Sequence, residues 1–277
     1  MNDTQTSFIE RLTQSLQNPH IDFHEKYLLI RNQQGKETKY LSAGVCMPIF
    51  SEADRFYFQL IKRSAKVSQP GDLSFPGGML NPIQDYPLRY MITSGIIPVI
   101  RRNRFLAVKQ YPPHNMRAMT LFLANALREA WEEVGMNPYH LVYLGSLPTY
   151  TLKTFHRVIF PSVCFMTGQQ ARYRLNDEVD RIVNLPLTIC FDESNYFQLI
   201  IEMPAGSPEP VEKFPCLLFK DESGYEHILW GATFALVMGL LEVVYGFHIP
   251  AIPDEKSIKK TLLPNYCEKL TKLVSWH

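Results

Sequence analysis

Three glutamates at helical spacing are the residues of this 277-residue sequence with the clearest potential for chemistry. Glu129, Glu132 and Glu133 lie three and four residues apart, so a helix would bring their carboxylates to one face. Like charges at these spacings repel one another, which predicts a compensating cation. Ligands that are all oxygen suit Mg²⁺ or Mn²⁺, which keep coordination positions for water and phosphate oxygens. The three side chains therefore form a candidate divalent-metal site.

The surrounding residues decide between this hypothesis and a solvated helix face on which Arg128 pairs with Glu132. For any single glutamate, the solvated face is the better interpretation. The octet REAWEEVG at residues 128–135, followed by the apolar Met136, matches five fixed residues in order. It resembles the R-E-apolar-x-E-E-x-G core of the Nudix box, a pattern that rarely arises by chance in a chain of this length.

A glycine turn at Phe75–Gly78 (FPGG) carries the second half of the resemblance. Because glycine has no Cβ, the backbone at such a turn can approach a diphosphate closely. The turn is preceded by LIKRS at residues 60–64 and by Pro70–Gly71, and a Trp-Gly-x-Thr segment opens the apolar run near the C-terminus. Together these segments resemble the coenzyme A diphosphatase branch of the Nudix hydrolases, discontinuously over about residues 41–245.

The resemblance implies a fold and a reaction. Nudix hydrolases are α/β proteins with an α/β/α sandwich around a mixed sheet, and we expect that class here. A metal-activated water attacks one phosphorus of a diphosphate, and Mg²⁺ or Mn²⁺ neutralises charge on the oxygens. Carried over to this sequence, the metal ligands are Glu129, Glu132 and Glu133, and Arg128 orients Glu129 or its neighbours. Glu129 and Glu178 are both candidates for the general base.

Substrate binding is expected from the turn and from basic residues. Gly77 and Gly78 would approach the diphosphate, and Lys62, Arg63 and Arg157 could hold the rest of an anionic ligand. The resemblance favours coenzyme A or an acyl-CoA, giving 4′-phosphopantetheine and 3′,5′-ADP. An ADP-ribose or nucleotide-sugar diphosphatase is an alternative, because it would share the metal box and differ only in the pocket.

A second alternative is a degenerate Nudix domain that binds a nucleotide without hydrolysing it. Gln84 stands where the box has its first glutamate, and 43 residues separate it from Arg128 where the compact box has seven, an insertion of 36. A pure binding module has no need of three mutually repelling carboxylates, so the intact octet favours catalysis. The fold must nevertheless bring the turn and the carboxylate helix together.

Periodicity predicts the elements that position these residues. Leu123, Leu127, Ala130 and Val134 form an apolar stripe on a helix over 120–134, which Gly135 ends. Residues 42–50 and 56–64 read as a hairpin, and further strands are expected over 141–150 and 157–166. The other predicted helices are a short N-terminal one over 7–17 and a long apolar one over 228–245.

The expected organisation is one elaborated domain with appendages. An N-terminal helical or extended appendage covers 1–39, the Nudix domain covers 40–250 with its insertion at about 85–119, and a C-terminal tail or helix covers 251–277. Within the insertion, residues 95–100 and 105–111 read as a β-hairpin around Arg101, Arg102 and Arg104. If it folded over the site, this hairpin could bind a phosphate or close as a lid.

Composition excludes several classes of partner. A formal charge of +1 provides no general field for nucleic acid or for an anionic membrane. Glu242 interrupts the apolar run at 228–247, which favours a packed helix over a membrane span. Five scattered cysteines without a C-x-x-C pair and an N-terminus without signal-peptide features predict a reduced, cytoplasmic protein. The expected partner is a small molecule, and a homodimer is left open.

Overall fold

The computed structural model describes residues 3–17, 20–33, 39–107, 111–153, 155–168, 173–202, 212–261 and 266, which form a mixed α/β protein. Its helices are α1 Asp3–Leu16, α2 Phe23–Arg31, α3 Pro82–Ser94, α4 Pro113–Val134 and α5 Gly231–Tyr245. The strands are β1 Leu41–Glu52, β2 Arg55–Arg63, β3 Leu73–Ser74, β4 Gly77–Met79, β5 Leu141–Ser146, β6 Tyr150–Leu152, β7 Arg157–Met166, β8 Val179–Pro186, β9 Tyr196–Glu202, β10 Glu212–Lys220, β11 Glu226–Leu229 and β12 Ser257–Thr261.

A large mixed sheet runs in the order β3-β2-β1-β7-β5, with β4 on β1, β6 on β7 and β8 on β2. The predicted hairpin is confirmed, since β1 and β2 pair antiparallel with Phe50 opposite Tyr57. At the centre β1 lies parallel to β7, from Leu41 opposite Arg157 to Ile49 opposite Phe165. Gly77 and Gly78 of the glycine turn thus lie in strand β4, which is anchored on the central strand β1.

Two hydrophobic cores cover opposite faces of this sheet. Adjacent strand residues point to opposite faces, and accordingly Cys46 packs in the core containing α2 and α4, whereas Met47 packs in the core containing α1 and α5. The predicted carboxylate helix is confirmed and begins earlier than expected, at Pro113. Its buried stripe fixes its rotation on the sheet, and so fixes the direction of its polar residues.

The N-terminal helix shares a core with the large sheet. Ile9, Leu12 and Leu16 of α1 are buried, and Phe8 stacks on Phe56 with ring centroids 3.6 Å apart. A Cβ at Gly145 of β5 would lie 2.6 Å from Leu16 Cβ, so the helix rests directly on the strand backbone. The helix thus packs as one layer of the structure.

The predicted hairpin in the insertion is wrong for the residues that the structure describes. Residues 82–94 form α3, which Asn81 caps by accepting a hydrogen bond from Ile83 N, and Gly95 ends it at φ 82°. Residues 96–107 form turns without a strand, and 108–110 lie outside the described residues. Ile97 and Val99 alternate with exposed or half-buried neighbours because they enter the α4 core, a pattern that imitates a strand.

The turn that carries Arg101, Arg102 and Arg104 lies against α1 and β5. Asn103 donates to Thr13 Oγ1 at 2.8 Å and to Tyr143 O at 2.9 Å, and Arg102 donates to Tyr139 O. Arg104 lies over the Phe105 ring. These contacts place the turn away from the carboxylates of α4, so the predicted lid is not formed by this segment.

A second sheet in the order β11-β10-β9-β12 follows the first along the chain. Residues 257–261, predicted to belong to a tail or helix, form β12 and pair parallel with β9. Residues 226–229 form β11, so the apolar helix α5 begins at Gly231. Within the described part of the chain, no helix has both the length and the apolar character needed to cross a membrane.

We predict that Gly44→Ala destabilises the fold by about 1–3 kcal/mol. A Cβ at Gly44 would lie 2.5 Å from Asn125 Oδ1 and 2.6 Å from Phe122 O, where β1 meets α4. It would also disturb the bond from Gly44 N to Asn125 Oδ1 at 2.6 Å. Gly239→Ala in α5 is the matched control, because nothing lies within 4 Å of its Cβ position. Chemical denaturation should show a lower free energy of unfolding for Gly44→Ala and no loss for Gly239→Ala. Equal stabilities of the two variants would contradict the close contact at Gly44.

Candidate functional site

Helix α4 presents its three glutamates beside its buried stripe. Leu127, Ala130 and Val134 are buried against the sheet, and Gly135 ends the helix with φ 69°. Of the glutamates, Glu133 is buried at 4% exposure, whereas Glu132 is largely exposed. The carboxylates therefore extend from the edge of the packed face towards the glycine turn.

The glycine turn and the carboxylate helix meet directly, as the sequence requires. Gly77 N donates to Glu133 Oε2 at 3.0 Å. A Cβ at Gly78 would lie 2.5 Å from Glu129 Oε2, so a side chain there would displace this carboxylate. Asn125 Nδ2 donates to Met79 O at 3.0 Å and completes the attachment. The long insertion leaves this contact intact.

Arg128 gathers three carboxylates around one guanidinium. Its Nη2 lies 2.7 Å from Glu129 Oε1 and its Nη1 lies 2.8 Å from Glu132 Oε2. Its Nε lies 2.7 Å from Asp85 Oδ1, and the Asp85 side chain is fully buried. Arg128 thus contacts Glu129, the residue that it is predicted to orient, and this role stays a prediction.

Sequence reasoning missed Asp85, because it counted residues along the box and stopped at Gln84. Gln84 is exposed, and its Oε1 accepts from Asn81 Nδ2 at 3.1 Å. Asp85, the next residue, turns inward and also accepts from Asn81 N at 2.7 Å. The available signal was a carboxylate one position further on, at the start of a helix capped by Asn81.

Desolvation dominates the electrostatics of the glutamates. The pKa of Glu133 is raised to about 8, chiefly by burial and also by the charges of Glu129 and Glu178, while the Gly77 N–H and Arg63 oppose the shift. Burial also raises the pKa of Glu129, against the lowering effect of Arg128. Both anionic carboxylates are thus poorly compensated by the protein, as expected of groups that receive a cation.

The carboxylates of Glu129, Glu132 and Glu133 have the ligand chemistry that Mg²⁺ or Mn²⁺ prefers, because all their donor atoms are oxygens and all lie on one rigid helix. Among the residues that the structure describes, however, no three His, Cys, Asp or Glu side chains converge closely enough to hold a metal ion as they stand. Glu129 and Glu132 are turned to Arg128 instead. Use of the three as a metal site therefore requires a side-chain rotation away from Arg128.

A cavity of about 570 Å³ opens beside the turn and is lined in part by Gly77 and Gly78. Arg63 and Arg157 also line it. Burial lowers the pKa of Arg157, and the neighbouring Arg63 lowers it further. Among the described residues, the buried Arg157 Nε has no hydrogen-bond partner, whereas Arg63 Nε donates to Ser68 O at 2.9 Å. The two guanidinium groups lie close enough to affect one another and suit an anionic ligand, although Asp72 also lines the cavity and Arg63 interacts with Glu133.

The remaining predicted site residues lie further out. Lys62 is on β2 opposite Arg181 and is not among the residues that line the cavity. Glu178 is exposed, with its backbone O accepting from Ser64 N at 2.8 Å, yet it lies near enough to influence Glu133. The structure therefore brings Arg63, Arg157, the two glycines and the helix glutamates together, with Glu178 at the rim and Lys62 apart.

Comparison with known proteins gives one similar curated sequence. The chain is 24% identical over 218 residues to peroxisomal coenzyme A diphosphatase NUDT7 of Mus musculus. The aligned residues cover 77% of this chain and 75% of that protein. No family model matches the chain.

Solved structures are similar only loosely. The Caenorhabditis elegans Ap4A hydrolase binary complex is 14% identical, covering 55% of this chain and 84% of that chain, with a TM-score of 0.36. The NUDIX domain of Shewanella oneidensis NrtR complexed with ADP ribose is 15% identical, covering 60% and 85%, with a TM-score of 0.36. A NUDIX hydrolase from Alicyclobacillus acidocaldarius is 16% identical, covering 55% and 81%, with a TM-score of 0.38. Superpositions this loose carry no argument about ligand or reaction.

We predict that Asp85→Asn destabilises the protein by about 3–5 kcal/mol, because it breaks a buried ion pair and leaves the Arg128 charge less compensated. Gln84→Ala, at an exposed neighbouring position, should change the free energy of unfolding by less than about 0.5 kcal/mol. Denaturant unfolding measures both.

The same experiment tests which residue supplies the carboxylate. Adding Gln84→Glu to the Asp85→Asn variant should not restore stability, because the side chain at position 84 points to solvent. Restoration by that double variant would contradict the assignment to Asp85.

Proposed function

Because the chain belongs to the Nudix hydrolase superfamily, a family of diphosphatases, we propose that it cleaves the diphosphate of a nucleoside diphosphate linked to another moiety. The proposed substrate is coenzyme A or an acyl-CoA, giving 4′-phosphopantetheine and 3′,5′-ADP. The observation that carries the proposal is the contact of Glu129 and Glu133 with the glycine turn, beside a cavity lined by two arginines. Similarity to a coenzyme A diphosphatase supports the choice of substrate.

The diphosphate would lie between the glycine turn and the arginines. The backbone at Gly77 and Gly78 is open to a ligand because neither residue carries a side chain. Arg157 Nε has no hydrogen-bond partner in the described part of the chain and would donate to a phosphate oxygen, and Arg63 would add a second guanidinium beside it. Burial strengthens both interactions because water is largely excluded from them.

Glu129, Glu132 and Glu133 would hold Mg²⁺ or Mn²⁺, which when bound supplies charge neutralisation at the phosphate oxygens and a more acidic water. Arg128 holds Glu129 at 2.7 Å in the structure, and the Glu129 carboxylate would turn from this contact to the metal. Of the two candidates for the general base, Glu129 lies inside the site and burial raises its pKa, which suits proton transfer near neutral pH. Glu178 stands at the exposed rim.

We predict metal-dependent hydrolysis of coenzyme A, with Glu133→Gln lowering kcat by on the order of 100-fold or more. The substitution keeps the shape of the side chain and removes its charge beside Gly77. Glu25→Gln on α2, an exposed helical glutamate, is the matched control and should keep native activity. Product release would be followed for coenzyme A, ADP-ribose and a nucleotide sugar, each with Mg²⁺ or Mn²⁺.

The substrate panel separates the alternatives. Turnover of only ADP-ribose or the nucleotide sugar would support diphosphatase activity and would reject coenzyme A as the substrate. Folded protein that binds nucleotides and hydrolyses none of them would favour the non-catalytic binding module. Native activity of the Glu133→Gln variant would show that the Glu133 carboxylate is not needed for the reaction.

A further inference from the structure

Exposed apolar side chains concentrate on the outer layer that α2 and α3 form over α4, on one side of the large sheet. On α3, Ile83, Tyr86 and Tyr90 are 85%, 44% and 69% exposed. They follow the spacing i, i+3 and i+7, so they form one line along the helix, here called the outer stripe. On α2, Leu28 and Leu29 are exposed as well. Large apolar side chains grouped in this way on a surface mark an interaction site.

The helix that carries the outer stripe is held rigidly from its opposite side. Asp85 pairs with Arg128 of α4, and Ile92 is buried in the core that contains α4. Tyr86 shares a side-chain hydrogen bond with Tyr27 of α2, which joins the two outer helices. The outer stripe is therefore presented on a fixed element, so a partner would meet a preformed surface.

The exposed part of α3 carries no charge, and the structure describes every residue of this helix. Its two charged residues are turned away from the outer stripe. Asp85 is fully buried, and the half-buried Arg89 donates to Thr120 Oγ1 at 3.0 Å. The face thus offers no counter-charge to an acidic or basic partner, and it lacks the exposed Lys and Arg with which surface helices bind anionic lipids.

A second copy of this chain is the partner that such a face fits. A two-fold axis brings the same surface of both copies together, and here that apposition involves no like-charge repulsion. Tyrosine and large aliphatic side chains without Lys, Glu or Asp are also the composition of the buried centre of homodimer interfaces.

The available area suits a reversible dimer. The outer stripe and the two leucines of α2 expose on the order of 500 Å² on one copy, whereas a standard stable interface buries about 800 Å² per partner. We therefore expect association that is complete at high protein concentration and is lost on dilution.

We propose that the outer stripe is a homodimer interface, in which α3 packs antiparallel on α3 of a second copy about a two-fold axis. This arrangement places Tyr86 beside the axis and sets Ile83 of each copy opposite Tyr90 of its partner. The inference does not depend on the proposed hydrolysis. It assigns a role to the insertion, whose first helix holds Arg128 through Asp85 on one side and binds the second copy on the other.

Sedimentation equilibrium of the full chain over a wide range of protein concentration tests the proposal. Ile83→Glu and Tyr90→Lys should each weaken self-association by roughly 100-fold or more, because each sets an unpaired charge against an apolar surface. Both changes suit the helix dipole, since position 83 lies in the first turn of α3 and position 90 lies towards its C-terminal end. The fold should therefore tolerate both.

The double variant Ile83→Glu/Tyr90→Lys tests the antiparallel arrangement. It places opposite charges across the axis, so its self-association should return to within about tenfold of that of the native chain. Tyr225→Glu is the matched control, because Tyr225 is an exposed aromatic residue just before β11 and outside the outer layer. It should associate like the native chain.

A native chain that stays monomeric at every concentration would overturn the proposal. A dimer that both Ile83→Glu and Tyr90→Lys leave intact would also overturn it, because the interface would then lie elsewhere. If the single variants dissociate and the double variant does not recover, the antiparallel two-fold arrangement is wrong. A monomeric native chain that sediments with phosphatidylcholine vesicles, and no longer does so after Ile83→Glu, would show that the outer stripe binds lipid and would reject the second copy.

Discussion

The site depends on the direct contact between the glycine turn and helix α4. Gly77 N donates to Glu133, and Gly78 lies against Glu129. A Cβ at Gly77 would lie 2.5 Å from Gly44 O, so a side chain there would push β4 away from β1. The rest of the architecture maintains this contact. Strand β4 is anchored on β1, and Gly44 of β1 bonds to Asn125 of α4. The ion pair between Arg128 of α4 and the buried Asp85 near the start of α3 attaches α3 to the same helix.

The fold leaves opposite charges separated across the site. On one side, Glu133 is buried and Glu129 is half-buried, and the pKa values of both are raised because desolvation outweighs the compensation that Arg128 and the turn provide. On the other side, Arg63 and Arg157 line the cavity, and the charge of Arg63 lowers the pKa of Arg157. A divalent cation together with a diphosphate would complement both sides, and this complementarity is the physical basis of the proposed hydrolysis.

The sequence predicted elements whose pattern reflects local burial, and it missed those set by distant contacts. The apolar stripe of α4 and the hairpin of β1 and β2 are confirmed. Asp85 was missed because its role depends on how α3 turns after Asn81. The insertion hairpin was wrong because Ile97 and Val99 alternate through contact with α4. Strand β12 was not foreseen, because its exposed residues pair with β9, some 60 residues earlier. The cytoplasmic location stays a prediction.

The most direct test of the account is Mn²⁺ binding measured by electron paramagnetic resonance on the native chain and on Glu133→Gln, with and without coenzyme A. The account predicts that the native chain binds Mn²⁺, that coenzyme A tightens this binding, and that the substitution weakens it. Equal Mn²⁺ binding by both proteins, unaffected by coenzyme A, would contradict the assignment of these carboxylates and the glycine turn to one metal and diphosphate site.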